Sequence, residues 1–202
     1  MSDHLETEHK YDADAEFVLP GLGGLPGSAA PAAPKRYHLS ATYFDTEDLS
    51  LIRNKVTLRR RTGGTDEGWH LKLPVRQDTR QEMRTPLGES SAEVPARLAA
   101  QVGDITAGRP LRPIATLDTE RTVVTLTGPA GEPLAEVADD GVTARRLDRP
   151  GAEPLSWREI EVEALSEGPG VPGLLEAVGK VLREAGARRS PSASKLSRVL
   201  GS

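Results

Sequence analysis

Charged residues two apart recur along the chain. Glu6, Glu8 and Lys10 form one set, Arg59 and Arg61 a second, and Arg80, Glu82 and Arg84 a third. Glu159, Glu161 and Glu163 form another, with Ile160 and Val162 between them. Glu136 and Asp140 lie four apart and align if their strand extends that far. On a β-strand, side chains two apart project from the same face. A sheet face turned to water is the ordinary source of such alternation. Several like charges on one strand repel each other, however, unless an opposite charge sits over them. Closing the sheet so that both sets face one water-filled interior resolves the repulsion. Divalent cations there would neutralise the carboxylates, and an anionic ligand the arginines and lysines.

The acidic candidates are all oxygen donors. The chain has no cysteine, which excludes disulfides, thiolate chemistry and sulfur-ligated metals. Its four histidines, His4, His9, His38 and His70, show no ligand spacing. Oxygen-only sites favour Mg²⁺ or Mn²⁺, commonly shared with phosphate groups. Lys10, Arg59, Arg61, Lys72, Arg84, Arg121 and Lys195 suit a ligand carrying several phosphate charges, arginine as a bidentate fork and lysine as a point charge.

The elements that must position these residues are mostly short strands. Alternating segments run over Tyr37–Phe44, Val56–Arg61, Trp69–Leu73, Thr79–Thr85, Thr116–Thr127, Pro133–Asp139 and Trp157–Ala164. Turn-forming pieces separate several of them: Thr62-Gly63-Gly64, Gly128-Pro129-Ala130-Gly131 and Asp139-Asp140-Gly141. Many short strands with turns between them predict an antiparallel sheet or barrel. Three helices are expected. Ser90 and Glu93 form a capping-box pattern ahead of a helix at about 91–102. Asp45-Thr46 caps a short helix carrying Leu49 and Ile52. Leu174, Val178, Val181 and Ala185 recur at helical spacing before Gly186, on a helix that covers the barrel. The stretch 19–35, rich in Pro, Gly and Ala, reads as a flexible surface loop.

With 202 residues, 37% of them hydrophobic, the chain has the composition of a single globular domain spanning 1–202. A net charge of −4 argues against nucleic-acid binding through bulk positive charge. Neither an apolar run of membrane-spanning length nor a signal-peptide pattern is visible, so a soluble, cytoplasmic protein is expected.

Specific motifs then carry a resemblance. Glu6-Thr7-Glu8-His9-Lys10 is an ExExK signature. It is followed in order by Tyr43-Phe44-Asp45-Thr46, by Val56-Thr57-Leu58-Arg59-Arg60-Arg61-Thr62-Gly63-Gly64 and by Gly68-Trp69-His70-Leu71-Lys72-Leu73-Pro74. Arg80-x-Glu82-x-Arg84, Glu159-Ile160-Glu161-Val162-Glu163 and Ser194-Lys195-Leu196-Ser197-Arg198 complete the series. Over roughly residues 3–200 the chain resembles the CYTH domain, the triphosphate tunnel metalloenzyme group that includes class IV adenylate cyclases and thiamine triphosphatases. It looks most like the CYTH portion of bacterial CYTH–CHAD proteins.

The resemblance implies a mostly β, α+β fold: an eight-stranded antiparallel closed β-barrel, or tunnel, with a charged interior and a few covering helices. It implies that Glu6 and Glu8 ligate metal and that Glu159 and Glu161 complete the cation site. Glu136 and Asp140 would assist directly or through water. Lys10, Arg59, Arg61, Lys72, Arg84, Arg121 and Lys195 would hold the triphosphate. Thr119 departs from the family pattern, which often has a second basic residue there. The implied activity is Mg²⁺- or Mn²⁺-dependent hydrolysis of a linear triphosphate, with inorganic tripolyphosphate the first choice. Glu6, Glu8, Lys10 and Glu161 are the catalytic candidates, and Glu8 or Glu161 would orient the water. A non-catalytic module binding triphosphate or polyphosphate, and adenylate cyclisation, are the alternatives.

Overall fold

The computed structural model describes residues 2–28, 31–76, 78–88, 93–149 and 151–201, with side chains from residue 5 onward. The strands are β1 (Ser2–Ala13), β2 (Lys35–Asp45), β3 (Thr57–Thr62), β4 (Gly68–Arg76) and β5 (Thr79–Thr85), then β6 (Arg112–Thr127), β7 (Pro133–Arg146), β8 (Leu155–Ala164) and the two-residue β9 (Arg188–Arg189). The helices are α1 (Ser50–Arg53), α2 (Ala96–Gln101), α3 (Gly103–Thr106), α4 (Val171–Glu184) and α5 (Lys195–Leu200).

Eight strands close into an antiparallel barrel in the order β1-β5-β4-β3-β2-β6-β7-β8 and back to β1. Strand β1 makes the closure by changing partners midway. Ser2–Thr7 pair with β5 and Glu8–Ala13 with β8, while β9 joins β1 at Tyr11 and Asp12. Closure leaves neither β5 nor β8 as a free edge, which for strands this long is the main structural gain.

The long hairpin β6–β7 corrects one sequence expectation. Asp139-Asp140-Gly141 is not a turn but the middle of β7, in unbroken register with both neighbours: Arg121↔Asp140 on one side and Asp140↔Glu159 on the other. Pairing on both edges outweighs the turn preference of a Gly and two Asp residues. The Thr62-Gly63-Gly64 turn forms as expected. Gly63 has φ 79, and a Cβ there would lie 2.1 Å from the His38 carbonyl oxygen, so only glycine fits this approach.

Alternation sorts the apolar residues into three clusters. Outside the barrel, Tyr11, Val137, Ile160 and Val162 meet Leu174, Val178 and Leu182 of α4, the covering helix expected from its spacing. Gly179 lets α4 approach β1, since a Cβ there would lie 2.1 Å from the Tyr11 hydroxyl. The segment expected as a flexible loop also belongs to this cluster. Its described residues have no regular structure before β2, yet Leu22 and Leu25 are buried against the barrel and Ala32 N–H donates to the Thr125 carbonyl. Those apolar anchors tie it down despite its breakers.

On another outer face, Phe44, Leu58, Trp69 and Leu71 pack beneath α1, α2 and α3. The Asp45 carboxylate is fully buried and accepts from the backbone N–H groups of Thr46, Leu51 and Ile52 at 2.7, 2.8 and 3.0 Å, so it does cap α1, although Leu49 is the N-cap position. The helix expected at about 91–102 starts only at Ala96, after Pro95, and is interrupted at Val102. Pro95 restricts the residue before it to extended backbone, and so excludes Glu93 and Val94 from the helix. Ser90, the expected cap, and residues 91 and 92 of the expected helix lie outside the described residues.

The third cluster is inside the barrel. Ala115, Leu117, Val142 and Ala144 share faces with the charged interior residues of β6 and β7, and together with Ala41 and Tyr43 of β2 they surround Leu196 and Val199 of α5. This C-terminal helix, not anticipated from the sequence, fills one end of the tunnel. Its ends are well specified: Ser194 and Ser197 cap each other reciprocally at 3.0 and 2.9 Å, and Gly201 closes it at φ 71.

Candidate active site

Next to that apolar plug the interior becomes charged. Glu6, Glu8, Lys10, Arg59, Arg61, Lys72, Arg84, Arg121, Glu161 and Lys195 all line one central pocket. Register explains the convergence. Across the strand pairs, Glu6 stands opposite Arg80, Lys72 opposite Glu82, and Lys10 opposite Glu161. Asp140 and Glu159, paired with each other and buried, stand behind Glu161. Glu136 shares their face opposite Glu163 and is half-buried, but it is not among the lining residues.

Opposite charges within the pocket pair closely. Lys195 at the start of α5 places Nζ 2.9 Å from Asp140, 2.7 Å from Glu159 and 2.7 Å from Glu161. Arg121 grips Asp140 with two nitrogens at 2.7 and 2.6 Å and reaches Glu161 at 2.6 Å. Lys10 donates to Glu161 at 2.5 Å and lies 3.0 Å from Glu8. Lys72 donates to Glu6 at 2.5 Å. Burial by itself would raise the Glu8 carboxyl, but Lys10, Lys72 and Arg80 hold it down at about 2. Asp140 and Glu161 are held low for the same reason, with Lys195 and Arg121 near both and Lys10 near Glu161.

Two groups depart from this pattern. Burial pulls Arg61 down to about 9, with Arg59 and Arg121 adding repulsion; its carboxylate partner is Asp66, from the β3–β4 turn. Glu163, facing Glu8 on β1, moves the other way. Burial and the Glu6 charge, with Glu8 and Glu161 contributing, raise it to about 7. His70 sits between the Glu82 carboxylate and the Asp66 carbonyl, 2.8 Å from each. A protonated ring would satisfy both, but burial beside Arg59 and Arg61 pulls it down to about 3.

Several pocket residues were not in the sequence-based set. Arg80 shares a face with Glu82 and Arg84 in the sequence reading but was not among the residues expected to hold the triphosphate. Tyr43, whose hydroxyl accepts from Arg59 at 3.2 Å, stands opposite Arg59 in the β2–β3 register. Asp66 arrives from a turn, where no periodicity announces a direction. Thr119, the departure from the basic pattern, is buried where the inner face passes from Arg121 to the apolar Leu117.

The carboxylates fit a hard cation. Oxygens of Asp140, Glu159 and Glu161 all lie within 4.8 Å of one another, and Glu6 Oε2 is buried without a hydrogen-bond partner. Lysines and arginines on the surrounding strands supply the complementary charge for phosphate oxygens.

The fold and the site together are a closed antiparallel barrel whose interior joins a carboxylate cluster to a ring of lysines and arginines. The CYTH domain model matches residues 6–200, and the chain belongs to that family. Two uncharacterized Mycobacterium tuberculosis proteins, from strains CDC 1551 and H37Rv, are each 41% identical over 208 residues, covering 98% of this chain. The chain spans 40% of the length of those relatives. Among solved structures, an adenylate cyclase candidate from Bacillus halodurans superposes with a TM-score of 0.61 at 18% identity, covering 98% of both chains. The PH1819 protein of Pyrococcus horikoshii gives 0.54 at 17% identity, covering 97% of this chain and 98% of its own. An adenylyl cyclase candidate from Hippeastrum, described as having a dominant triphosphatase activity, gives 0.51 at 16% identity, covering 98% and 95%. At these identities the likeness concerns the fold.

Proposed function

We propose that this chain hydrolyses a linear triphosphate with the help of Mg²⁺ or Mn²⁺, and that inorganic tripolyphosphate is its substrate. The observation that carries this reading is the convergence of Lys10, Arg59, Arg61, Lys72, Arg84, Arg121 and Lys195 on the same closed pocket as Glu6, Glu8 and Glu161. Phosphoryl transfer depends mainly on positioning and charge neutralisation, and this residue set supplies both.

In this scheme the arginines fork onto non-bridging phosphate oxygens and the lysines neutralise the chain between them. Glu6, Glu8, Asp140, Glu159 and Glu161 would hold the cation. When bound, it would neutralise phosphate oxygens and lower the pKa of an adjacent water. Glu8 or Glu161, each kept ionised by its lysine neighbours, accepts a hydrogen bond from the attacking water and orients it in line with the scissile P–O bond. Little is available to recognise a nucleobase. Phe44 and Trp69 pack on each other outside the barrel, with ring centroids 5.0 Å apart, leaving Tyr43 as the aromatic residue among those lining the pocket. This favours tripolyphosphate over ATP.

The deciding experiment measures phosphate release from tripolyphosphate with Mg²⁺, with Mn²⁺ and with EDTA, and runs ATP in parallel with detection of cyclic AMP. Metal-dependent release from tripolyphosphate is expected. Cyclic AMP formation would replace the proposal with a cyclase. Tripolyphosphate that protects against heat without being hydrolysed would replace it with a polyphosphate-binding module.

A further inference from the structure

The carboxylate group at the end of the tunnel already holds a cation of its own. Lys195 Nζ touches Asp140, Glu159 and Glu161 at 2.7–2.9 Å, and its side chain is 8% exposed. Those three carboxylates are also the ones whose oxygens gather closely enough to share a metal ion. An ammonium and a divalent cation cannot occupy the same oxygens, because two like charges a few ångströms apart in a desolvated site repel strongly. The lysine also lines the pocket that the phosphate charges would enter. It hangs on a flexible four-carbon stem from the first residue of α5, whose backbone is pinned by the Ser194–Ser197 cap. The head can therefore change partners while the helix stays in place.

We infer that Lys195 is a displaceable resident cation. It guards the Asp140–Glu159–Glu161 group against metal until an anion in the tunnel draws the ammonium away. Resting on the triphosphate reading of the pocket, this makes binding of metal and of anion mutually reinforcing. Whatever factor the anion contributes to metal affinity, the metal must return to the anion. Arg121, which contacts Asp140 and Glu161, and Lys10, which contacts Glu161, line the same pocket, so the anion draws on them as well as on Lys195.

The test uses Mn²⁺ alone, with no anion and no turnover, so it does not depend on the hydrolysis assay. Mn²⁺ affinity is read by electron paramagnetic resonance for the parent chain, for Lys195→Met, for Lys195→Gln and for Lys180→Met, which removes an exposed lysine on α4. Both Lys195 variants are expected to bind Mn²⁺ at least about tenfold more tightly than the parent, the equivalent of roughly 1.4 kcal/mol. Lys180→Met should match the parent. Mn²⁺ should raise the melting temperature of the Lys195 variants and not that of the parent. If the variants fold only with Mn²⁺ present, that rescue is the same result in stronger form. Equal Mn²⁺ affinity in parent and Lys195 variants, or variants that Mn²⁺ does not rescue, overturns the inference. Either result leaves the triphosphatase reading standing, since phosphate release decides that separately.

Discussion

Glu163 gives the structure its sharpest stability test. Its carboxyl faces Glu8 across the β1–β8 pair and Glu136 across the β7–β8 pair, so three carboxylates lie side by side on adjacent strands. Burial and the Glu6 charge, with Glu8 and Glu161 contributing and Lys72 opposing, raise it from 4.5 to about 7. A group raised in the folded state contributes fully below its unfolded pKa, and that contribution is lost as pH rises through the folded value. Below pH 4.5, therefore, Glu163→Gln and the parent should have nearly the same stability, because both side chains are neutral. Above pH 7 the parent must carry the charge in a place that resists it, and the variant does not. At about 1.4 kcal/mol per pKa unit, the variant gains roughly 3 kcal/mol over this window. For a chain of this size that corresponds to about 6–12 °C in melting temperature. The assay is thermal unfolding of both proteins from pH 4 to 9, in EDTA so that no cation relieves the repulsion. A difference that stays flat across the window, or one in which the parent gains on the variant toward alkaline pH, would refute the placement of Glu163 among those carboxylates.

Three other outcomes are expected. Glu6→Gln and Glu8→Gln should each lower phosphate release on the order of a hundredfold or more while circular dichroism stays native, since both carboxylates line the pocket; parental rates would remove them from the reaction. Gly179→Ala should cost about 1–3 kcal/mol in urea unfolding, because its Cβ would fall 2.1 Å from the Tyr11 hydroxyl and force α4 away from β1; a neutral result would mean that the helix sits further out. Leu22→Ala, which empties a buried site beneath the Pro- and Gly-rich segment, should cost about 2–5 kcal/mol and speed proteolysis within residues 19–35; an unchanged cleavage rate would show that the segment is not anchored there.

The two-residue period of a strand is a local property, and this is why so much of the barrel wall was legible. Glu6-x-Glu8-x-Lys10, Arg59-x-Arg61 and Glu159-x-Glu161-x-Glu163 each announced an inner face, and their like signs indicated that the face was enclosed. Turn residues were less dependable. Gly63 and Gly64 form a turn because the chain has to reverse there, whereas Asp139-Asp140-Gly141 was carried straight through by pairing on both edges.

Which residues share a face follows from parity along one strand, a local property readable in the residues themselves. How those faces meet depends on closure, register and the seating of α5, which join residues far apart in the chain. It brought Lys195 onto carboxylates from β7 and β8, drew Asp66 from a turn into the pocket beside Arg61, turned Tyr43 toward Arg59, and left Glu136 out of the pocket lining. Ion pairing depends on distance between charges, and no single strand contains that distance.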